Sequence, residues 1–157
     1  CACQKNGKIF IISLLGAGWP GHKSYKWHDT LNLLDYGNTN YKYQTFWREP
    51  ELSYIPVQNG IIDDFGGSSS VYTGGSISVS ESEKKRQILV SADDHLQYQV
   101  LFRENLIAPV RKGEQIGRLV YLLNGKKLFS YPILATQTIQ KNTFTHCANL
   151  VFKNFFH

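Results

Sequence analysis

The chain has 157 residues, 42% of them hydrophobic and 13% aromatic, with a net charge of +5. That length holds one ordinary domain or a small domain plus part of another, and the apolar content excludes a disordered polar chain. The 17 Lys and Arg against 12 Asp and Glu are spread along the sequence with no Arg-rich helix and no aromatic RNA-binding signature. No nucleic-acid partner is therefore expected, whereas an anionic membrane or cell-wall surface suits the charge. Methionine is absent, which points to a processed chain, an excised piece or a partial reading frame.

The apolar, Ile-rich run from Ile9 to Leu15 reads as one buried strand, and it lacks the small-residue cleavage site of a signal peptide. Cys1 and Cys3 fall on one face of the first strand and read as buried thiols. Cys147 is distant, so the C-x-C has no second ligand pair and no metal is expected. His22, His28, His95, His146 and His157 are scattered without ligand spacing, and no cofactor is implied.

After a Gly/Pro loop, "GAGWPG" (16–21), the stretch "SYKWHDTLNLLDYG" (24–37) predicts a helix of about three turns. Trp27, Leu31 and Leu34 form its apolar stripe, widened by Leu33; Ser24 or Asp29 lies near its start, and Gly37 marks its end. From Tyr41 the pattern becomes β. "YKYQTF" (41–46), "LSYIPV" (52–57), "SISVS" (76–80), "QILVSA" (87–92) and "LQYQVLF" (96–102) read as strands, and residues 60–75 as a Gly/Ser-rich loop. In the last of these, Leu96, Tyr98, Val100 and Phe102 share one face. "QIGRLVYLL" and "KKLFSYPIL" flank Asn124-Gly125, the strongest short hairpin signal in the chain. Several short, punctuated strands predict a mainly β fold, a small antiparallel β-sandwich.

The tail, "TFTHCANLVFKNFFH" (143–157), places Phe144, Cys147, Ala148, Val151, Phe152 and Phe155 on one helical face. It is too short to span a bilayer, which takes about 20 apolar residues. An aromatic amphipathic helix of this kind fits an interfacial membrane anchor, with Phe144, Val151, Phe152 and Phe155 entering the interface and Lys153 adding attraction to anionic lipid. The alternative is a helix packed on its own sandwich.

"KWHDTLNLLDYG" (26–37) together with "APVRKGEQIGRLVYLLNGKKLFSYPIL" (108–134) resembles the C-terminal half of the D-alanyl-D-alanine carboxypeptidases, the low-molecular-mass penicillin-binding proteins that trim peptidoglycan stem peptides. The resemblance covers nearly the whole chain apart from residues 58–75. It implies that residues 1–40 are the last strand and helix of an α/β penicillin-binding catalytic domain. Residues 41–139 would then be the β-sandwich domain, and residues 140–157 an amphipathic anchor on the outer face of the cytoplasmic membrane.

The chemistry of that family needs S-x-x-K, S-x-N (or Y-x-N) and K-T-G, so that lysines activate a serine nucleophile while backbone amides hold the oxyanion. Here K-T-G is absent, the nearest string being "YTG" (72–74), and S-x-N is absent too. The single S-x-x-K, Ser82 to Lys85, lies in the charged turn "SESEKKR" and is a match expected by chance. The chain is thus expected to have no catalytic residue of its own. By the resemblance, Lys26 corresponds to a cation that faces the substrate's terminal carboxylate, although a lysine lacks the bidentate fork of the arginine seen in some members. A free-standing cell-surface β-module that binds wall polymer or a protein partner is the other reading of the same composition.

Overall fold

The computed structural model describes residues 1–16, 21, 24–61, 70–145, 148 and 152. In chain order the elements begin with β1 (Ala2–Lys5), β2 (Lys8–Ile11), helix α1 (Tyr25–Asn40) and β3 (Tyr41–Thr45). Next come β4 (Ile55–Val57), β5 (Gly60–Ile61), β6 (Val71–Thr73), β7 (Gly75–Ser76) and the one-turn helix α2 (Glu81–Lys84). Strands β8 (Gln87–Ser91), β9 (Leu96–Phe102), β10 (Gln115–Leu123), β11 (Lys126–Ala135) and β12 (Gln140–Lys141) complete the order. The fold is mainly β and built of small antiparallel sheets. It divides into two compact units, Cys1–Phe46 with Lys85–Asp94, and Trp47–Lys84 with His95–His157.

In the first unit, Asn6 and Gly7 both take positive φ (52° and 76°), the pair of left-handed residues that a two-residue type I′ turn requires. They fold β1 back on β2, with Lys5 opposite Lys8 and Ala2 opposite Ile11. The predicted single buried strand over residues 9–15 is therefore the second arm of a hairpin ending at Ile11. Its apolar side chains are not buried: Ile11 is 85% exposed and Leu15 93%. Cys1 is exposed and Cys3 half-buried, which corrects the reading of both as buried thiols. Cys147 lies outside the described residues.

Helix α1 starts after Ser24, whose carbonyl accepts the amides of Trp27 and His28 (3.1 and 3.2 Å) and whose side chain makes no cap bond. It runs to Asn40, past the Gly37 that was expected to end it. Gly37 is buried instead, because the helix lies so close to β2 that a Cβ there would stand 2.7 Å from the Phe10 ring. Around that contact Lys8 Nζ donates to the carbonyl of Asn38 (2.7 Å), Asn6 Nδ2 donates to Asn38 Oδ1 (3.1 Å), and Lys5 pairs with Asp35 at 3.7 Å. The predicted apolar stripe is open at its start, with Trp27 63% and Leu31 59% exposed, while Leu34 is half-buried. Strand β3 follows the helix directly and pairs with β8, Tyr41 opposite Ser91 and Thr45 opposite Gln87.

The second unit is built on a four-stranded sheet in the order β7-β11-β10-β9. Asn124 and Gly125 (φ 51° and 77°) make the predicted tight turn between β10 and β11. β10 lies between two neighbours and is close to continuously buried, with Ile116, Leu119 and Tyr121 fully so, as a central apolar strand should be. Ile133, Ile139 and Val110 complete the fully buried aliphatic centre. Short pairings close the rest: β4 with β6, β5 with β12, and Val110 with Ile139 by two backbone bonds of 2.9 and 2.8 Å. Residues 76–80 were expected to be a strand, yet only Ser76 joins a ladder, as the end of β7. Within the stretch read as loop, β5 and β6 are strands, and residues 62–69 lie outside the description. Among the described residues no helix is long and apolar enough to cross a membrane. The predicted tail helix falls largely outside the described residues.

Candidate functional site

Lys26 stands in the first turn of α1 with its side chain exposed and its ammonium 5.3 Å from the centre of the Trp27 indole. Its carbonyl accepts the Thr30 hydroxyl at 2.7 Å. The first turn holds no acidic residue, so this cation sits at the positive end of the helix dipole, where a cation is disfavoured by about 0.3–1 kcal/mol. Helix stability does not account for a lysine at this place. His28 and His95 are exposed, and His22, His146 and His157 lie outside the described residues.

The motif look-alikes have structural surroundings. Ser82 is exposed on α2, with its Oγ 2.9 Å from that of Ser80. The other α2 side chains act as a stitch: Lys84 pairs with Glu81 (3.2 Å) and lies 5.9 Å over the Trp47 ring, while the Tyr131 hydroxyl donates to Glu83 (2.9 Å). In the "YTG" string Thr73 is fully buried, and its hydroxyl donates to the carbonyl of Gly74 at 3.3 Å. Among the described residues no serine or cysteine side chain is hydrogen-bonded to a lysine or histidine.

The sequence did not point to an aromatic cluster formed by Trp47, Tyr98, Tyr121 and Tyr131, whose rings lie 5.7–6.3 Å apart. Alternation along β9 and β10 could have found Tyr98 opposite Tyr121, but Trp47 arrives from a distant, irregular segment. At the centre, the Tyr121 hydroxyl donates to the Arg48 carbonyl (2.8 Å) and accepts the Arg48 amide (3.3 Å). Burial pushes the phenol above its usual pKa of 10.0; the backbone bond at Arg48 opposes that rise and the Glu49 carboxylate adds to it. These bonds and ring contacts fix the cluster as a packing centre.

An open groove of about 300 Å³ lies beside the end of β9, lined by Leu101, Phe102, Arg103, Gln115, Gly117 and Arg118. Arg103 is paired with Glu114 at 3.4 Å. Of the predicted membrane-contacting residues, Phe144 is 90% exposed and Phe152 is also exposed. Val151, Lys153 and Phe155 lie outside the described residues.

Comparison with known proteins adds the family. Residues 68–141 match the family described as penicillin-binding protein 5, C-terminal domain. The D-alanyl-D-alanine carboxypeptidase DacD from Francisella tularensis aligns at 18% identity over 89% of this chain and 32% of its own, with a TM-score of 0.50. Penicillin binding protein 5 from Haemophilus influenzae aligns at 24% identity over 73% of this chain and 30% of its own, with a TM-score of 0.40. The chain thus spans about a third of the length of these solved structures. No curated protein sequence matches it. Residues 68–141, a little under half of the chain, are thus similar to the C-terminal domain of penicillin-binding protein 5.

Proposed function

We propose that the chain is the C-terminal part of a serine-type D-alanyl-D-alanine carboxypeptidase, serving as support and membrane-anchoring module for an enzyme that trims the terminal D-Ala of peptidoglycan stem peptides. The observation that carries this reading is the family match over residues 68–141. The first unit supports it. Ile9, Ile11, Leu15, Trp27 and Leu31 are all more than half exposed, and apolar surface left in water forgoes about 25 cal/mol per Å². A larger penicillin-binding domain, with residues 1–40 as its last strand and helix, would cover those side chains. The same exposure weighs against a free-standing wall-binding module. On this reading the protein works outside the cytoplasm, peripheral on the outer face of the membrane, with the stem peptide and the lipid surface as partners and no nucleic acid. Lys26 would face the substrate's carboxylate, a role that the helix dipole favours for the anion and that leaves the cation's position explained.

The 157-residue chain incubated with a fluorescent penicillin is expected to leave no labelled band on a denaturing gel. A product translated from farther upstream in the same frame, carrying S-x-x-K, S-x-N and K-T-G, is expected to label. In that longer product Lys26→Gln should raise KM for a peptide ending in D-Ala-D-Ala about tenfold with kcat little changed, the mark of a lost binding contact. Stoichiometric labelling of the 157-residue chain that vanishes in Ser82→Ala would overturn the support role.

Anchoring makes a separate claim. Several phenylalanines entering an interface contribute several kcal/mol before ordering costs, and Lys141 and Lys153 add a smaller, salt-dependent attraction. The chain is expected to co-sediment with vesicles containing anionic lipid, and a chain ending at Asn142 to stay in the supernatant. Phe152→Ser with Phe155→Ser should remove most binding, whereas salt should only weaken it. If the shortened chain sediments as well as the full one, the tail is no anchor.

A further inference from the structure

β9 ends the four-stranded sheet, and no strand pairs with its outer edge among the described residues. Its inner edge is fixed by two bonds at its ends: the Arg103 amide donates to the Ile116 carbonyl (2.8 Å), and the Asn124 amide donates to the His95 carbonyl (3.0 Å). In an antiparallel ladder successive residues turn their N–H and C=O groups to opposite edges. Odd-numbered residues therefore bond to β10, and Leu96, Tyr98, Val100 and Phe102 direct theirs outward.

Sheet edges ordinarily carry a lysine, a proline or a bulge that discourages pairing. "LQYQVLF" has no charged residue and no proline, and its pairing with β10 runs from Leu96 to Phe102 without a shift of register. At the other edge of the sheet, β7 is only two residues long. β9 is the long, unprotected edge.

We propose that β9 pairs antiparallel with β9 of a second copy of this chain about a two-fold axis at Gln99. The strand is its own complement in this register. Leu96 stands opposite Phe102 of the second copy and Tyr98 opposite Val100, so every outward backbone group finds a partner. On the other face Gln99 meets Gln99, and Gln97 meets Leu101. Apolar residues oppose apolar ones on the half-buried face, no charge opposes a like charge within the strand, and the two sheets become one of eight strands. A second copy fits better than a foreign peptide because the sequence supplies both halves of this match.

The test uses the full chain with its three cysteines replaced by Ser. Light scattering over a concentration series is expected to reach twice the 17.9 kDa of one chain. Gln99→Cys places two thiols at a non-hydrogen-bonded pair, with Cα atoms about 4.5 Å apart, within disulfide range. It should cross-link at least about tenfold faster than Gln97→Cys, whose counterpart in the second copy lies four residues away along the strand. Gln99→Lys puts two ammonium groups across the axis on the exposed face and should weaken the dimer about fivefold while leaving the circular dichroism spectrum unchanged. A mass that stays at one chain, equal cross-linking at positions 97 and 99, or a folded Gln99→Lys variant that dimerises as before each overturns the proposal.

Discussion

Tyr121→Ala is expected to lower the unfolding free energy of the second unit by about 3–5 kcal/mol, and Tyr121→Phe by about 1 kcal/mol. The larger loss comes from emptying a fully buried aromatic site whose neighbours, Trp47, Tyr98 and Tyr131, are held by their own elements and collapse only in part. Against a typical domain stability of about 5–15 kcal/mol it is a large fraction. The smaller loss is the two hydrogen bonds to Arg48. It stays near the low end because both bonds are only part-buried and the one from the Arg48 amide is long at 3.3 Å. Urea titration measures both. A pH series separates the hydroxyl from the ring. The folded pKa lies above the unfolded value of 10.0, so this group's contribution is whole below about pH 10 and is lost as pH rises through the folded pKa. Tyr121→Phe should lack that part of the alkaline decline. Equal alkaline decline in both proteins would show that the buried hydroxyl is not its source.

Gly117→Ala is expected to cost about 3 kcal/mol, at the upper end of overpacking penalties, and to loosen β9 before any other strand. A Cβ at this position would stand 2.6 Å from the Leu101 carbonyl oxygen, 2.9 Å from the Phe102 ring and 3.3 Å from the Phe102 Cα. A ring can turn away, but a carbonyl held in the backbone cannot, so β9 itself must move off β10. Gly74→Ala is the control: its methyl meets the Thr136 hydroxyl at 3.0 Å and the Tyr54 ring at 3.5 Å, both of them side chains. Hydrogen exchange should show the amides of Gln97, Gln99 and Leu101, which face β10, losing protection in Gly117→Ala while β11 keeps its own. Matched exchange in the two variants would mean that the sheet absorbs the methyl without moving β9.

Much of the second unit was legible in the sequence because its signals are local. Asn124-Gly125 demands positive φ at both residues whatever surrounds it, and the runs on either side are long and apolar enough to be strands. The same dipeptide at Asn6-Gly7 was equally legible, and it marks the first hairpin; the neighbouring apolar run, read as one buried strand, obscured it. The stretch 76–80 shows the limit of alternation. Ile77 and Val79 are half-buried between exposed serines, as a strand pattern requires, but a strand also needs a partner ladder, and that is not written locally. In α1 the stripe of Trp27 and Leu31 reports a face suited to burial without saying what would bury it. Lys26 is singled out only through resemblance, since a single exposed lysine has no spacing to signal a role. The Tyr121 cluster was not readable, because Arg48 and Tyr121 are 73 residues apart.

The pairing of β3 with β8 has a consequence for synthesis on the ribosome. About 40 residues, carrying β4 to β7 and α2, separate Thr45 from Gln87, and at 5–20 residues per second they take roughly 2–8 s to emerge. Throughout that interval the nascent first unit has its helix and an unmatched strand whose complement has not yet been translated. Hairpins close in microseconds, so the β1–β2 arm is complete long before, and the delay falls on β3 alone. Within the first unit, Tyr41 to Thr45 are thus the residues that wait longest, bare and extended, for a partner that arrives by translation rather than by diffusion.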